Sequence, residues 1–75
     1  MDEMKFRIGP YPKRELAKLF FPFTKKEETA VTNLRNLMQR NPDLLSELEE
    51  AGYNPRSKVF TPRQVKIIVR YLGEP

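Results

Sequence analysis

The sequence predicts a small, mainly α-helical domain of about four helices in a helix-turn-helix-like arrangement, with at most one short two-stranded β ribbon. Three observations predict it. Three segments carry helix-capping signals, the apolar residues repeat at helical spacing, and Pro and Gly separate the segments. The chain has 75 residues, which suits a single domain, residues 1–75, with one thin core.

The first twelve residues predict an extended arm or a short strand. Residues 5–8 alternate polar and apolar side chains, and Gly9-Pro10 then interrupts the pattern. We expect Phe6 and Ile8 to face the core. Residues 58–60 form another short β-prone segment, so the two segments are expected to pair as a ribbon against the helices.

The first helix is predicted to begin at Pro12 or Lys13. It ends by Phe21, because Pro22 disfavours helical geometry in the residue before it. Four apolar residues are expected on its buried side: Leu16, Ala17, Leu19 and Phe20.

The second helix is predicted from Thr24 to Arg40. Thr24 and Glu27 have the spacing of a capping box, in which the hydroxyl and the carboxylate each accept from an amide of the first turn. The opposite face is rich in Arg, Asn and Gln, which can bind base edges and phosphates. An apolar stripe of helical period comprises Ala30, Val31, Leu34, Leu37 and Met38.

Two further helices have well-marked ends. Asn41-Pro42 combines an N-cap with proline in the first turn, and Gly52 follows the last turn. Thr61-Pro62-Arg63-Gln64 is a second capping box with proline at the first helical position, and Gly73 closes that helix. The apolar residues of these two helices are Leu44, Leu45, Leu48 and Ala51, then Val65, Ile68, Val69 and Leu72.

Composition argues against several classes of function. The chain has no Cys and no His, so it lacks the usual thiolate and imidazole groups of catalytic and metal sites. We therefore expect no enzyme activity, no catalytic residue, no cofactor and no metal site. The longest apolar run, residues 19–23, is too short to cross a bilayer, and residues 1–3 do not begin a signal peptide. A cytoplasmic protein with no membrane partner is expected.

The net charge of +4 is divided unevenly along the chain. Residues 41–52 contain four carboxylates and no Lys or Arg, so they carry −4 and the remainder carries +8. Such segregation lets one surface attract a polyanion while another repels it. The alternative is that charge needed for solubility is placed unevenly by chance.

Short sequence blocks along nearly the whole chain carry a family resemblance. The most specific are Phe60-Thr61-Pro62-Arg63-Gln64-Val65 and the ending Tyr71-Leu72-Gly73-Glu74-Pro75. Together the blocks resemble a family of short bacterial proteins catalogued as a domain of unknown function, which implies kinship but no particular activity. The remaining blocks are Phe6-Arg7-Ile8, Tyr11, Glu15-Leu16-Ala17, Phe21-Pro22, Ala30, Leu34, Leu37-Met38 and Gly52-Tyr53.

A more distant similarity is to winged-helix regulators of the mercury-resistance type. There, too, a helix containing Glu-Leu-Ala, here Glu15-Leu16-Ala17, precedes the DNA-reading helix, and a segment like residues 60–68 begins a later helix. This similarity implies that the second helix reads DNA.

Two functions from different classes follow. The first is a DNA-binding or DNA-associated accessory protein, whose second helix enters the major groove of double-stranded DNA. Its candidate base or phosphate contacts are Arg35, Asn36, Gln39 and Arg40, and its candidate phosphate contacts are Lys25, Lys26, Arg63, Lys66 and Arg70. The spacing of Arg63, Lys66 and Arg70 predicts that they share one face of the last helix, and Arg56 and Lys58 are expected to extend this basic patch.

The alternative is a protein-interaction or adaptor module that binds no nucleic acid. Its acidic third helix would select a basic protein partner, and exposed apolar side chains would anchor it. A domain this small also needs most of its large apolar side chains in the core, so the same side chains could be buried there instead. The candidate anchors are Tyr11, Phe21, Phe23, Ile67 and Tyr71.

Overall fold

The computed structural model describes residues 6–75, which form four α-helices and a two-stranded antiparallel sheet. The mainly helical fold with one short ribbon is therefore confirmed. Residues 1–5, including Lys5 of the predicted first strand, lie outside the described residues. In chain order the elements are β1 Tyr11–Pro12, α1 Lys13–Phe20, α2 Glu27–Gln39, α3 Pro42–Glu50, β2 Val59–Phe60 and α4 Pro62–Leu72.

One apolar core is shared by all four helices and β2. Helix α1 packs most extensively against α2, and α3 packs against α4. Leu19 is an exception to the predicted core, because its side chain is 44% exposed. Leu16, Ala17 and Phe20 share one arc of α1, and Leu19 lies outside that arc. The buried apolar residues are Leu16, Ala17, Ala30, Leu34, Met38, Leu44, Leu48, Phe60, Val65, Ile67 and Ile68.

The predicted pairing of residues 6–8 with residues 58–60 is wrong. Tyr11 and Pro12 pair instead with Phe60 and Val59. The amide of Lys13 also donates to the Lys58 carbonyl at 2.8 Å, so the start of α1 sets the register of the ribbon.

The arm before the ribbon folds back on β1 instead of forming a strand. The Phe6 ring stacks on the Tyr11 ring with centroids 5.2 Å apart, and the Tyr11 hydroxyl donates to the Arg7 carbonyl at 2.9 Å. Ile8, which was expected to face the core, is 47% exposed.

The capping box predicted at Thr24 does not form. Helix α2 begins at Glu27, with Lys26 at the N-cap position and no side-chain cap. The Thr24 amide donates to the Phe21 carbonyl at 3.2 Å, and the Thr24 carbonyl accepts from Lys18 Nζ. Both backbone groups of Thr24 are thus used by the turn, so the helix starts later.

The predicted ends of α3 and α4 are confirmed. Asn41 Oδ1 accepts from the Leu44 amide at 3.2 Å, and Thr61 and Gln64 form the reciprocal capping box. At the end of α3, Gly52 has φ 84°. The Gly52 and Tyr53 amides donate to the Glu49 and Leu48 carbonyls at 3.1 and 2.9 Å, which is the Schellman motif.

Gln64 also joins α4 to α3. Its side chain is buried, its Oε1 accepts from the Thr61 amide, and its Nε2 donates to the Ala51 carbonyl at 3.2 Å. Within residues 6–75, no helix combines the length and apolar character needed to span a membrane.

Leu34→Ala should lower the free energy of unfolding by about 2–5 kcal/mol, because Leu34 is 2% exposed and its removal leaves a cavity. Leu19→Ala is the matched control, and its exposed side chain should cost less than about 1 kcal/mol. Urea denaturation followed by circular dichroism gives both values. Equal losses would contradict the assigned burial.

Thr61→Ala should lower the free energy of unfolding by about 0.5–2 kcal/mol, because the Thr61 hydroxyl caps α4. Thr24→Ala tests the other Thr of predicted capping-box spacing, which makes no cap bond to α2. Its cost should be clearly smaller in the same urea titration. A larger loss for Thr24→Ala than for Thr61→Ala would be inconsistent with an α2 that begins at Glu27.

Candidate functional site

A groove of about 450 Å³ lies between α2, the start of α1 and the segment from Tyr53 to Phe60. Its floor is apolar, because α2 contributes Val31, Leu34 and Met38 and β2 contributes Val59 and Phe60. We call this feature the ribbon groove. Its volume is within the range of about 300–1,000 Å³ typical of ligand sites in proteins.

The rim of the ribbon groove is cationic. Among the described residues that line it, none is acidic. Within residues 6–75, one ion pair involves the rim: Arg14 lies 3.7 Å from Glu27, and both side chains are mostly exposed, so the pair contributes little to stability. The five cationic lining residues are Lys13, Arg14, Arg35, Arg56 and Lys58.

Lys13 ties the start of α1 to the loop that precedes β2. Its Nζ donates to the Asn54 and Pro55 carbonyls at 3.0 and 3.2 Å. The same ammonium lies 4.7 Å from the centre of the Tyr53 ring and 5.5 Å from that of Phe60. Burial lowers the pKa of Lys13, and the nearby charge of Arg35 lowers it further.

Tyr53 is engaged inside the wall of the groove. Its ring stacks on Phe60 with centroids 6.2 Å apart and also carries the Lys13 ammonium. Burial raises the pKa of Tyr53, against a smaller opposing effect of the Arg35 charge. The ring is therefore part of the packed wall and is poorly placed to stack on a nucleic-acid base.

The structure divides the candidate residues of α2. Arg35 lines the ribbon groove, whereas Asn36, Gln39 and Arg40 are exposed and do not line it. At about 100° per residue, Arg35 and Arg40 project about 140° apart around the helix. One flat surface therefore cannot contact both arginines equally.

The candidate residues of α4 share an exposed strip, as their spacing predicts. Arg63, Lys66 and Arg70 are all exposed, and none lines the ribbon groove. The sequence suggested that Arg56 and Lys58 extend this strip. Instead they line the ribbon groove together with Arg35.

Lys25 and Lys26 are exposed in the loop between α1 and α2, and they too lie outside the lining of the groove. Lys13 and Arg14 also line the groove, although their place in the sequence indicated only the start of α1. The available signal was the adjacent basic pair itself. What brings that pair to the groove is the register of the ribbon.

The candidate anchors of an adaptor differ in accessibility. Ile67 is 9% exposed and belongs to the core. Phe23 is 96% exposed, contrary to the expectation that its side chain is needed in the core. Phe21 is half-buried against the core, and Tyr11 is stacked on Phe6.

Glu47 of α3 interacts with the end of the α4 strip. The Tyr71 hydroxyl donates to the Glu47 carboxylate, and this bond is the main cause of the raised pKa of Tyr71. Arg70 lies 3.9 Å from the same carboxylate. Arg70 is thus partly neutralised by Glu47, as Arg14 on the rim of the ribbon groove is by Glu27.

A family model described as "Domain of unknown function (DUF4248)" matches residues 7–75. The chain belongs to this family. No curated protein and no solved structure matches it, so the similarity to mercury-resistance-type regulators gains no support from these comparisons. Membership of the family establishes that these proteins are related, but it does not identify an activity. The activity is therefore inferred from the ribbon groove.

Tyr71→Phe should destabilise the protein at neutral pH, and the difference from the wild type should shrink as pH rises above 10. The folded pKa of Tyr71 is raised above its ordinary 10.0. Its contribution is therefore complete below pH 10 and is lost as pH rises through the higher folded value.

Thermal melts from pH 7 to 11 of the wild type, Tyr71→Phe, Glu47→Gln and the double variant measure this coupling. Tyr71→Phe should cost less stability in the Glu47→Gln background, which lacks the carboxylate. A coupling that stayed constant over the whole pH range would contradict the assigned hydrogen bond.

Proposed function

We propose that this chain is a small, non-catalytic, DNA-binding or DNA-associated accessory protein whose partner is double-stranded DNA. One observation carries the proposal: five cationic side chains from three segments converge on the ribbon groove, whose described lining contains no carboxylate. Clustered Lys and Arg neutralise phosphates and release counterions, which supplies most of the affinity for a nucleic-acid backbone.

The charge distribution of the rest of the chain supports an oriented encounter. Residues of α3, which carries Asp43, Glu47, Glu49 and Glu50, do not contribute to the lining of the ribbon groove. A polyanion is attracted to the groove and repelled by the exposed carboxylates of α3. The exposed α4 strip adds cations beyond the groove, although Glu47 reduces the contribution of Arg70.

Arg35 belongs both to the polar face of α2 and to the cationic rim of the ribbon groove. It is the α2 candidate that lines the groove, and its charge already acts on Lys13 and Tyr53. We therefore assign phosphate contacts first to Arg35 and its neighbours on the rim. Asn36, Gln39 and Arg40 would contact DNA only if α2 itself lies in the major groove.

Arg35→Ala and Arg40→Ala form a matched pair that tests this assignment. Arg35→Ala removes an exposed arginine from α2 and Arg40→Ala removes one from the C-cap position of that helix, but only Arg35 lines the ribbon groove. If the rim holds the phosphates, Arg35→Ala should weaken binding to a labelled random-sequence duplex and reduce the log–log salt slope by about 0.9. Arg40→Ala should leave the slope unchanged.

Fluorescence anisotropy between about 50 and 200 mM salt gives the slopes. Equal effects of the two variants would favour insertion of α2 into the major groove instead. Glu49→Gln with Glu50→Gln is the charge control, which should tighten binding slightly through long-range repulsion alone. A wild-type protein that binds no duplex at about 50 mM salt would end the proposal, because non-specific binding is strongest there.

A further inference from the structure

We propose that the ribbon groove is also a docking site for a short acidic segment of a partner protein, in which carboxylates flank one large apolar side chain. This goes beyond the binding of DNA, because it assigns a use to the floor of the groove that phosphates do not provide. Its basis is the combination of an apolar floor and a cationic rim in one cavity.

A purely ionic ligand would leave the apolar floor of the groove in contact with water. Phosphate oxygens accept hydrogen bonds and pair with cations, and contact with an apolar surface does not stabilise them. Val59 is 45% exposed and Val31 is half-buried, so apolar area remains in contact with water in the groove. An apolar side chain of a ligand would cover that area, as the central anchor of a protein interface does.

The rim specifies the charge of the segment. Lys13 and Arg14 stand at the start of α1, Arg35 on α2, and Arg56 and Lys58 on the loop before β2, so cations border the floor from three segments. Charge complementarity therefore selects acidic residues on both sides of the apolar anchor. The volume of about 450 Å³ holds a few side chains, which suits a short segment.

The docked segment and DNA would compete, because both need Arg35. A segment of this kind would displace the duplex from the rim, and the duplex would exclude the segment. The proposal differs from the earlier adaptor hypothesis, in which acidic α3 selects a basic partner. Here the partner is acidic, and α3 is not part of the docking site.

Two labelled peptides test the proposal directly. One has the sequence Glu-Glu-Phe-Glu-Glu between neutral flanks, and the other replaces Phe with Ser at the same charge. Anisotropy at constant salt should show that the Phe peptide binds about tenfold more tightly or better, since an apolar group in an apolar pocket discriminates by that order. Equal binding of the two peptides, or no binding of either, would overturn the proposal.

Variants of the floor separate docking from general charge attraction. Val31→Thr with Val59→Thr should reduce the affinity for the Phe peptide to nearly that for the Ser peptide, and should leave duplex binding unchanged. Val69→Thr is the control, because Val69 is a half-buried valine of α4 outside the groove. Thermal melts confirm that each variant is folded.

Unchanged Phe-peptide affinity in the folded Val31→Thr, Val59→Thr variant would refute the proposal. The same holds for a wild-type dimer in sedimentation that Glu49→Gln with Glu50→Gln dissociates, because α3 of the second copy would then cover the groove. A wild type that prefers the Phe peptide but binds no duplex would overturn the proposed function alone. A wild type that binds the duplex but does not prefer the Phe peptide would overturn the docking site alone.

Discussion

The burial of Phe60 is the constraint on which the rest of the structure depends. Its side chain is 2% exposed in the core, and its backbone pairs with Tyr11. Its ring stacks on Tyr53 and lies beneath the Lys13 ammonium. One residue thus fixes the ribbon, the loop after α3 and the start of α1 relative to one another. Because Thr61, the N-cap of α4, directly follows Phe60, the same side chain also sets where the capping box of α4 lies.

Local chemistry made much of the fold predictable. Caps formed by neighbouring residues, such as Asn41 with Leu44 and Thr61 with Gln64, need no tertiary partner and were predicted correctly. The Thr24 cap had the same sequence spacing, but the turn after α1 uses the Thr24 backbone instead. The ribbon register and the bond from Gln64 to Ala51 depend on contacts between distant residues, for which spacing gives no signal.

The candidate site was less predictable than the fold, for a related reason. Helical spacing correctly placed the α4 cations on one face, but it could not show that Lys13 and Arg56 meet Arg35 across the ribbon groove. The polar face of α2 was interpreted as one binding surface, whereas Arg35 is the candidate residue of that face that lines the ribbon groove. Side chains on one helix share a face by geometry, while a groove between segments exists only after the chain has folded.

The ribbon groove gathers like charges, and this opposes folding while favouring an anionic ligand. Burial is the main cause of the lowered pKa of Lys13, and the nearby charge of Arg35 lowers this pKa further because the two cations repel each other. Lys13 stays in place because two loop carbonyls accept from its ammonium. An anion between Lys13 and Arg35 would remove part of the repulsion and stabilise the protonated ammonium. By linkage, anion binding and protonation of Lys13 must then favour each other. Such an anion would also stabilise the folded chain, because the unfolded chain does not hold these cations together.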